Sequence, residues 1–290
     1  MLKHISFFHG HRGSVLALAD AESGSFFSSG AEGLIVKWNL ANPDDGQVLQ
    51  KLPGYAASLA FDNSENLLYS GLNHIGVYVL EADRGKIKAK IDLPLVAFKS
   101  VDIVDNYLII TSLKGELLLM DKHTYKILKR INTGLDINTS FAIDAKNQLW
   151  YNTIKGLRII NLSTLEEKQT EFESEIITNS IGIYNDRLIT LSNNKIEARN
   201  LSRRNSIISF TNPKVDFFNN LIIKKEEPEF LALSNTNTIV QFQLSKNNIK
   251  LIMEAQNAHN GGINQLLWIE SYKFVVTAGA DKKIGIWDYN

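Results

Sequence analysis

Short runs rich in β-branched and aromatic residues recur along the chain, and clusters of Asn, Asp, Gly and Ser separate them. The clearest are Leu67-Leu68-Tyr69-Ser70, Tyr107-Leu108-Ile109-Ile110-Thr111, Leu149-Trp150-Tyr151-Asn152, Arg187-Leu188-Ile189-Thr190 and Glu229-Phe230-Leu231-Ala232-Leu233. Each follows a turn-forming segment, such as Asn63-Ser64-Glu65-Asn66, Asp105-Asn106 or Asn185-Asp186. Residues that pack well on a pleated surface predict strands, and residues that tolerate tight-turn backbone predict their connections. No stretch keeps an apolar 3.6-residue period over the roughly ten residues a helix needs. Leu162 to Glu171, the best helical candidate, reads as a turn followed by an outer strand. The pattern predicts an all-β meander.

The runs fall into seven four-strand groups, with second strands near residues 27, 68, 109, 150, 189, 231 and 275. A spacing of roughly forty residues is that of propeller blades, so the expected architecture is a seven-bladed β-propeller filling 1–290 as one domain. The third strands end at Trp38-Asn39, Val79-Leu80, Met120-Asp121, Ile160-Asn161, Arg199-Asn200, Phe242-Gln243 and Trp287-Asp288. On this register the last group lacks an outer strand, and Leu2 to Phe8 lies where one would fall. An unpaired strand edge is a liability, so Leu2 to Phe8 is expected to pair beside Gly285 to Asp288 and close the ring.

The first and last groups repeat one motif. Gly10-His11-Arg12-Gly13, Ser28-Ser29-Gly30-Ala31-Glu32 and Trp38-Asn39 answer to Ala258-His259-Asn260-Gly261, Thr277-Ala278-Gly279-Ala280-Asp281 and Trp287-Asp288, with His-to-Trp spacings matching to within one residue. On these residues the chain resembles the WD40-repeat β-propeller family; the five middle groups match it only in strand rhythm. The resemblance implies two buried hydrogen-bonded sets, His11, Ser28, Glu32 and Trp38, and His259, Thr277, Asp281 and Trp287. A buried indole N–H needs an acceptor, a hydroxyl supplies one, and an imidazole links that hydroxyl to a carboxylate. Glu32 is one methylene longer than the family's Asp, so the first set is expected to be strained or displaced towards solvent.

Lys+Arg and Asp+Glu are both 31, so net charge gives no reason to expect nucleic acid or an anionic membrane as partner. Cys is absent, which removes disulfides and thiolate chemistry and leaves cytoplasm as the default compartment. His9-Gly10-His11-Arg12-Gly13 interrupts the apolar start of the chain, unlike a signal peptide, and no apolar run approaches the roughly 20 residues of a membrane-spanning helix.

Site-like groupings each have a simpler reading. A His, a hydroxyl and a carboxylate in one repeat suggest a hydrolytic triad, yet the resemblance makes them structural. His9 and His11 lack a third metal ligand nearby, and no metal or cofactor is expected. Asp20-Ala21-Glu22-Ser23-Gly24 and Asn42-Pro43-Asp44-Asp45-Gly46 lack the full calcium-loop pattern and read as turns. Ser202-Arg203-Arg204-Asn205 reads as a solvated hairpin tip, and Lys224-Lys225-Glu226-Glu227 cancels its own charge. Trp150 and Trp268 lie within strands and are expected in the core.

Binding is sought on loops. The entries to the first strands bring Arg12, Tyr55, Phe98, Asn138, Asn179, Phe217 and Asn260 to one face, where they are expected to ring the channel mouth. They mix aromatic and hydrogen-bonding groups as interface cores do. With the family resemblance, this implies a non-catalytic, monomeric scaffold for a protein or peptide partner. The rival is a propeller hydrolase or lactonase-type enzyme with a channel metal site, which requires inward-facing carboxylates or histidines.

Overall fold

A computed structural model describes residues 2–93, 97–135, 139–170, 178–202, 206–224, 226–256 and 258–289, the side chain of Asp44 excepted. The strands form seven antiparallel four-stranded sheets, the blades of a β-propeller. After β1 (Lys3–Phe8), blade 1 is β2 (Val15–Asp20), β3 (Ser25–Gly30), β4 (Leu34–Asn39) and β5 (Asn42–Lys51). Blade 2 is β6 (Ala56–Asp62), β7 (Leu67–Leu72), β8 (Gly76–Glu81) and β9 (Ile87–Asp92), and blade 3 is β10 (Phe98–Val104), β11 (Tyr107–Ser112), β12 (Glu116–Asp121) and β13 (Ile127–Asn132). Blades 4, 5 and 6 are β14–β17 (Phe141–Ile143, Gln148–Thr153, Gly156–Asn161, Glu167–Gln169), β18–β21 (Ser180–Tyr184, Arg187–Ser192, Lys195–Asn200, Ile207–Thr211) and β22–β25 (Phe218–Ile223, Glu229–Ser234, Ile239–Leu244, Ile249–Ala255). Blade 7 is β26 (Ile263–Ile269), β27 (Phe274–Gly279) and β28 (Ile284–Asp288), completed by β1.

The closing strand pairs as the chain pattern predicts. Lys3 lies opposite Asp288 and Phe8 opposite Ile284, with a bulge between His4 and Ser6. The edge of β28 is thereby satisfied with backbone hydrogen bonds instead of being left open. Phe8 is buried, and its ring lies 5.8 Å from Phe26 and 5.7 Å from Trp38, so one strand fastens blade 7 to the core of blade 1.

The blades group into two compact units, Met1–Ile131 with Asn257–Asn290, and Asn132–Gln256. In the first, apolar layers lie between successive sheets. Val15, Leu18, Val276 and Ile286 fill the space between blades 7 and 1; Ala17, Phe27, Leu59 and Leu68 that between blades 1 and 2; Tyr69, Val79, Val101 and Ile110 that between blades 2 and 3. In the second, Trp150, Ile181 and Leu188 join blades 4 and 5, and Ile189, Phe218, Phe230 and Phe242 join blades 5 and 6. Each fully buried large side chain contributes about 1.5–3 kcal/mol, so sheet-to-sheet packing dominates the stability.

Two sequence expectations need correction. Ser25 faces Asn39 in blade 1 and Leu67 faces Glu81 in blade 2, so the third strand of blade 2 ends at Leu80-Glu81, not Val79-Leu80. The run Val77-Tyr78-Val79-Leu80 is uniformly apolar or aromatic and carries no period-two signal to fix its register. Asn42-Pro43-Asp44-Asp45-Gly46 is not a free turn but the start of β5. It bulges between the pairs Asn39–Asn42 and Lys37–Gln47. A Cβ at Gly46 would come within 2.5 Å of the Trp38 ring, so this bulge needs glycine to lie over the indole.

Candidate functional site

In blade 1 the Trp38 indole N–H donates to Ser28 Oγ at 2.7 Å, Ser28 Oγ lies 2.7 Å from His11 Nε2, and His11 Nδ1 lies 2.6 Å from Glu32 Oε1. In blade 7 the Trp287 N–H donates to Thr277 Oγ1 at 3.1 Å, Thr277 Oγ1 lies 2.7 Å from His259 Nε2, and His259 Nδ1 lies 2.8 Å from Asp281 Oδ1. An indole can only donate and an ionised carboxylate only accept, so each series runs one way: indole to hydroxyl, hydroxyl to Nε2, Nδ1–H to carboxylate. The Ser28 and Thr277 hydroxyls are wholly buried, which suits a structural link and not contact with a substrate.

Glycine makes room for both sets. A Cβ at Gly30 would lie 2.4 Å from His11 Nδ1, and one at Gly279 would lie 2.2 Å from His259 Nδ1. The same strand ends in the middle blades are Leu72, Ser112, Thr153, Ser192 and Ser234, each with a side chain where blades 1 and 7 have glycine. Blade 2 keeps the hydroxyl alone: Ser70 Oγ is buried with no hydrogen-bond partner among the described residues.

The longer Glu32 side chain finds more than the imidazole. Its Oε2 accepts the Gly13 N–H at 3.0 Å and its Oε1 the Arg12 N–H at 3.4 Å, while Asp281 Oδ2 accepts the Asn260 N–H at 3.1 Å. Burial opposes ionisation of both carboxylates, but the bonds from the imidazoles and these backbone N–H groups outweigh it and hold both below their ordinary range. The buried sets therefore reach the surface. Each pins the backbone of a loop whose exposed side chain, Arg12 or Asn260, stands at the entry to a first strand.

Tyr55 stands at the corresponding entry of blade 2 and is 45% exposed. Arg12, Tyr55 and Asn260 thus share one end of consecutive blades in the first unit. Phe98 does not join them: only 2% exposed, it packs with Tyr69, Val101 and Leu108 in the core between blades 2 and 3. It is the first residue of β10, where the sheet interior begins, and its aromatic character reflects packing instead of presentation. In the second unit Phe217 is exposed, whereas Asn179 is half-buried and donates its amide N–H to the Phe218 carbonyl at 3.1 Å. Asn138 lies outside the described residues, as do Arg203, Arg204, Asn205 and Lys225.

One recurrent feature escapes sequence inspection. Leu18 N–H donates to Gln265 Oε1 at 2.7 Å, Val101 N–H to Ser58 Oγ at 2.8 Å and Ile181 N–H to Ser140 Oγ at 3.1 Å. Gln265, Ser58 and Ser140 occupy the same register position in their blades, and each satisfies an edge N–H of the next blade's first strand. The only sequence signal is a Ser, Asn or Gln recurring at that position, also filled by Ser100, Ser180 and Asn219. In the first unit every first strand bulges one residue earlier, at Leu16, Ala57, Lys99 and Asn264.

The remaining groupings resolve locally. Trp150 is buried and donates to Asp144 Oδ2 at 2.9 Å, while Trp268 is half-buried beside Tyr289 and donates to Glu270 Oε2 at 2.5 Å. Asp20 to Gly24 is a tight turn in which Asp20 Oδ1 accepts the Glu22 N–H at 2.9 Å. Lys224 is buried against Glu227 and Glu229. Among the described residues no three His, Asp or Glu side chains converge as metal ligands do.

The model of the WD domain, G-beta repeat, matches residues 2–39 and 250–288, the two segments that carry the buried sets. No curated protein matches the chain by sequence. Among solved structures, the WD40 β-propeller domain of Doa1 superposes with a TM-score of 0.79 at 11% identity, covering 100% of this chain and 97% of that one. A chain of the mitotic checkpoint complex superposes with a TM-score of 0.82 at 13% identity, covering 99% and 91%. Such identities carry the fold and nothing finer. The chain is a seven-bladed β-propeller whose first and last repeats match the WD40 family.

Proposed function

We propose that this chain is a non-catalytic scaffold, acting as a cytoplasmic monomer, and that it binds a protein or peptide partner on the first-strand entry loops of blades 7, 1 and 2. One observation carries the reading. The Glu32 and Asp281 carboxylates, fixed by buried imidazoles, hold the backbone N–H groups of Arg12 and Asn260 and leave those side chains exposed. Rigid frames holding polar and aromatic side chains in place lower the ordering cost of association. The chemistry of the two sets is used up inside the blades, which supports binding over turnover. WD40 propellers generally mediate protein interactions, and one structural neighbour is a chain of a multiprotein complex.

The test is an affinity purification with wild-type protein and an Arg12→Ala/Tyr55→Ala/Asn260→Ala variant, both checked for an unchanged melting curve. The expected result is a partner retained by wild type and lost from the variant. Equal retention by both would remove these loops from the interface.

A further inference from the structure

The neutral chain is electrically polarised within its first unit. At the loop end already described, the turns carry Arg12, Lys114 and Lys282 exposed, with Lys283 beside them, its ammonium 5.0 Å from the Phe7 ring centroid. The carboxylates of those turns, Glu32 and Asp281, are bound to His11 and His259 and to backbone N–H groups. At the opposite end, β2, β8, β12 and β28 finish on Asp20, Glu81, Asp121 and Asp288, while Asp62, at the end of β6, is buried in an ion pair with Lys122. Cations prevail at the first end, where exposed Asp92 pairs with Lys90, and carboxylates at the second, which also carries exposed Arg84, Lys86 and Lys126.

The cationic end also has an apolar element. Tyr55 is 45% exposed and Leu113 is 42% exposed. Both sit on connections tied to the frame: Leu52 N–H donates to the Gly33 carbonyl at 2.9 Å, and Leu113 N–H donates to the Ala97 carbonyl at 2.8 Å. Resting on the reading above, we propose that this end takes an acidic segment of a partner protein, its carboxylates over Arg12, Lys114 and Lys282 and an apolar or aromatic side chain against Tyr55. Half-buried Lys99, at the bulge just inside the blade 3 entry, adds a further cation. Burial lowers its ammonium to about 8 against the pull of Asp102. The opposite end would repel the same segment, which fixes which face docks.

The experiment is fluorescence anisotropy of the full chain with a labelled random copolymer of glutamate and tyrosine, compared with polyglutamate and a lysine–tyrosine copolymer. The glutamate–tyrosine copolymer should bind best, and raising salt from about 50 to about 300 mM should weaken it by about tenfold or more. Arg12→Glu/Lys114→Glu/Lys282→Glu should abolish binding, and Tyr55→Ala should weaken it by about threefold or more. Lys86→Glu/Lys126→Glu, at the opposite end, should change it by less than about twofold, all variants having wild-type melting curves. Equal loss from both charge reversals, equal binding of the lysine–tyrosine copolymer, or no binding at low salt would overturn the proposal. Equal binding of polyglutamate would overturn the Tyr55 anchor, and full displacement by single-stranded DNA would overturn the commitment to a protein segment. If the copolymer fails while Arg12, Tyr55 and Asn260 still prove necessary for partner capture, only the acidic chemistry falls and the loop-end reading stands.

Discussion

Replacing Thr277 by Val keeps the branched shape of the side chain and deletes the hydroxyl that receives the Trp287 N–H at 3.1 Å and meets His259 Nε2 at 2.7 Å. Thr277 is wholly buried, and Trp287 and His259 are each 6% exposed, so water cannot replace what is lost. Two orphaned buried groups at about 1–3 kcal/mol each predict a destabilisation of about 2–6 kcal/mol. Trp287→Phe removes the indole N–H, so a Thr277→Val/Trp287→Phe protein leaves one orphan fewer. It should lose about 1–3 kcal/mol less than the sum of the single variants. Urea denaturation of the four proteins closes the cycle, and hydrogen exchange at Asn260, whose N–H is held by Asp281, reports whether the loop loosens with the set. A Thr277→Val protein within about 0.5 kcal/mol of wild type, or a strictly additive cycle, would refute the claim that this buried series fastens the blade.

Deleting Met1 to Phe8 removes β1 from β28 and Phe8 from its contacts with Phe26 and Trp38. Losing the Phe8 packing alone is worth about 3–5 kcal/mol. The truncated protein should melt well below wild type or aggregate through the bared edge, and an unchanged melting curve would count against ring closure by this strand. His4, packed on Phe7 and Trp287, has Nε2 buried without a hydrogen-bond partner among the described residues, and burial lowers its pKa against a raising bond from Ser6. A histidine held below its ordinary value of 6.5 stabilises fully above that pH and loses the contribution as pH falls through it. Thermal melts between about pH 7.5 and pH 5.5 should therefore fall more for wild type than for His4→Phe, and parallel melts would contradict this.

The blade rhythm was legible because a meander of short strands cut by Asn, Asp and Gly turns carries its own punctuation, and the buried sets were legible because His, hydroxyl, carboxylate and Trp recur at fixed spacing. Register was readable only where polar and apolar residues alternate, which is why Leu80-Glu81 was displaced by one. Phe98 is buried where the chain pattern puts it on a loop face, because an aromatic beside a loop looks the same in sequence whether it points into the core or out of it. The cross-blade bonds of Gln265, Ser58 and Ser140 depend on which strand lies alongside, information a lone polar residue does not carry.

Tyr55 and Tyr272 are nearly matched probes: they are 45% and 47% exposed, and stand at opposite ends of the first unit. Photo-crosslinking amino acids placed at each position in turn, in cells, compare the two ends with no change in accessibility to confound them. The loop-end account predicts a discrete protein adduct from position 55 that is lost when Arg12 and Asn260 are replaced by Ala, and none of that mass from position 272. The same adduct from position 272, with none from position 55, would contradict it.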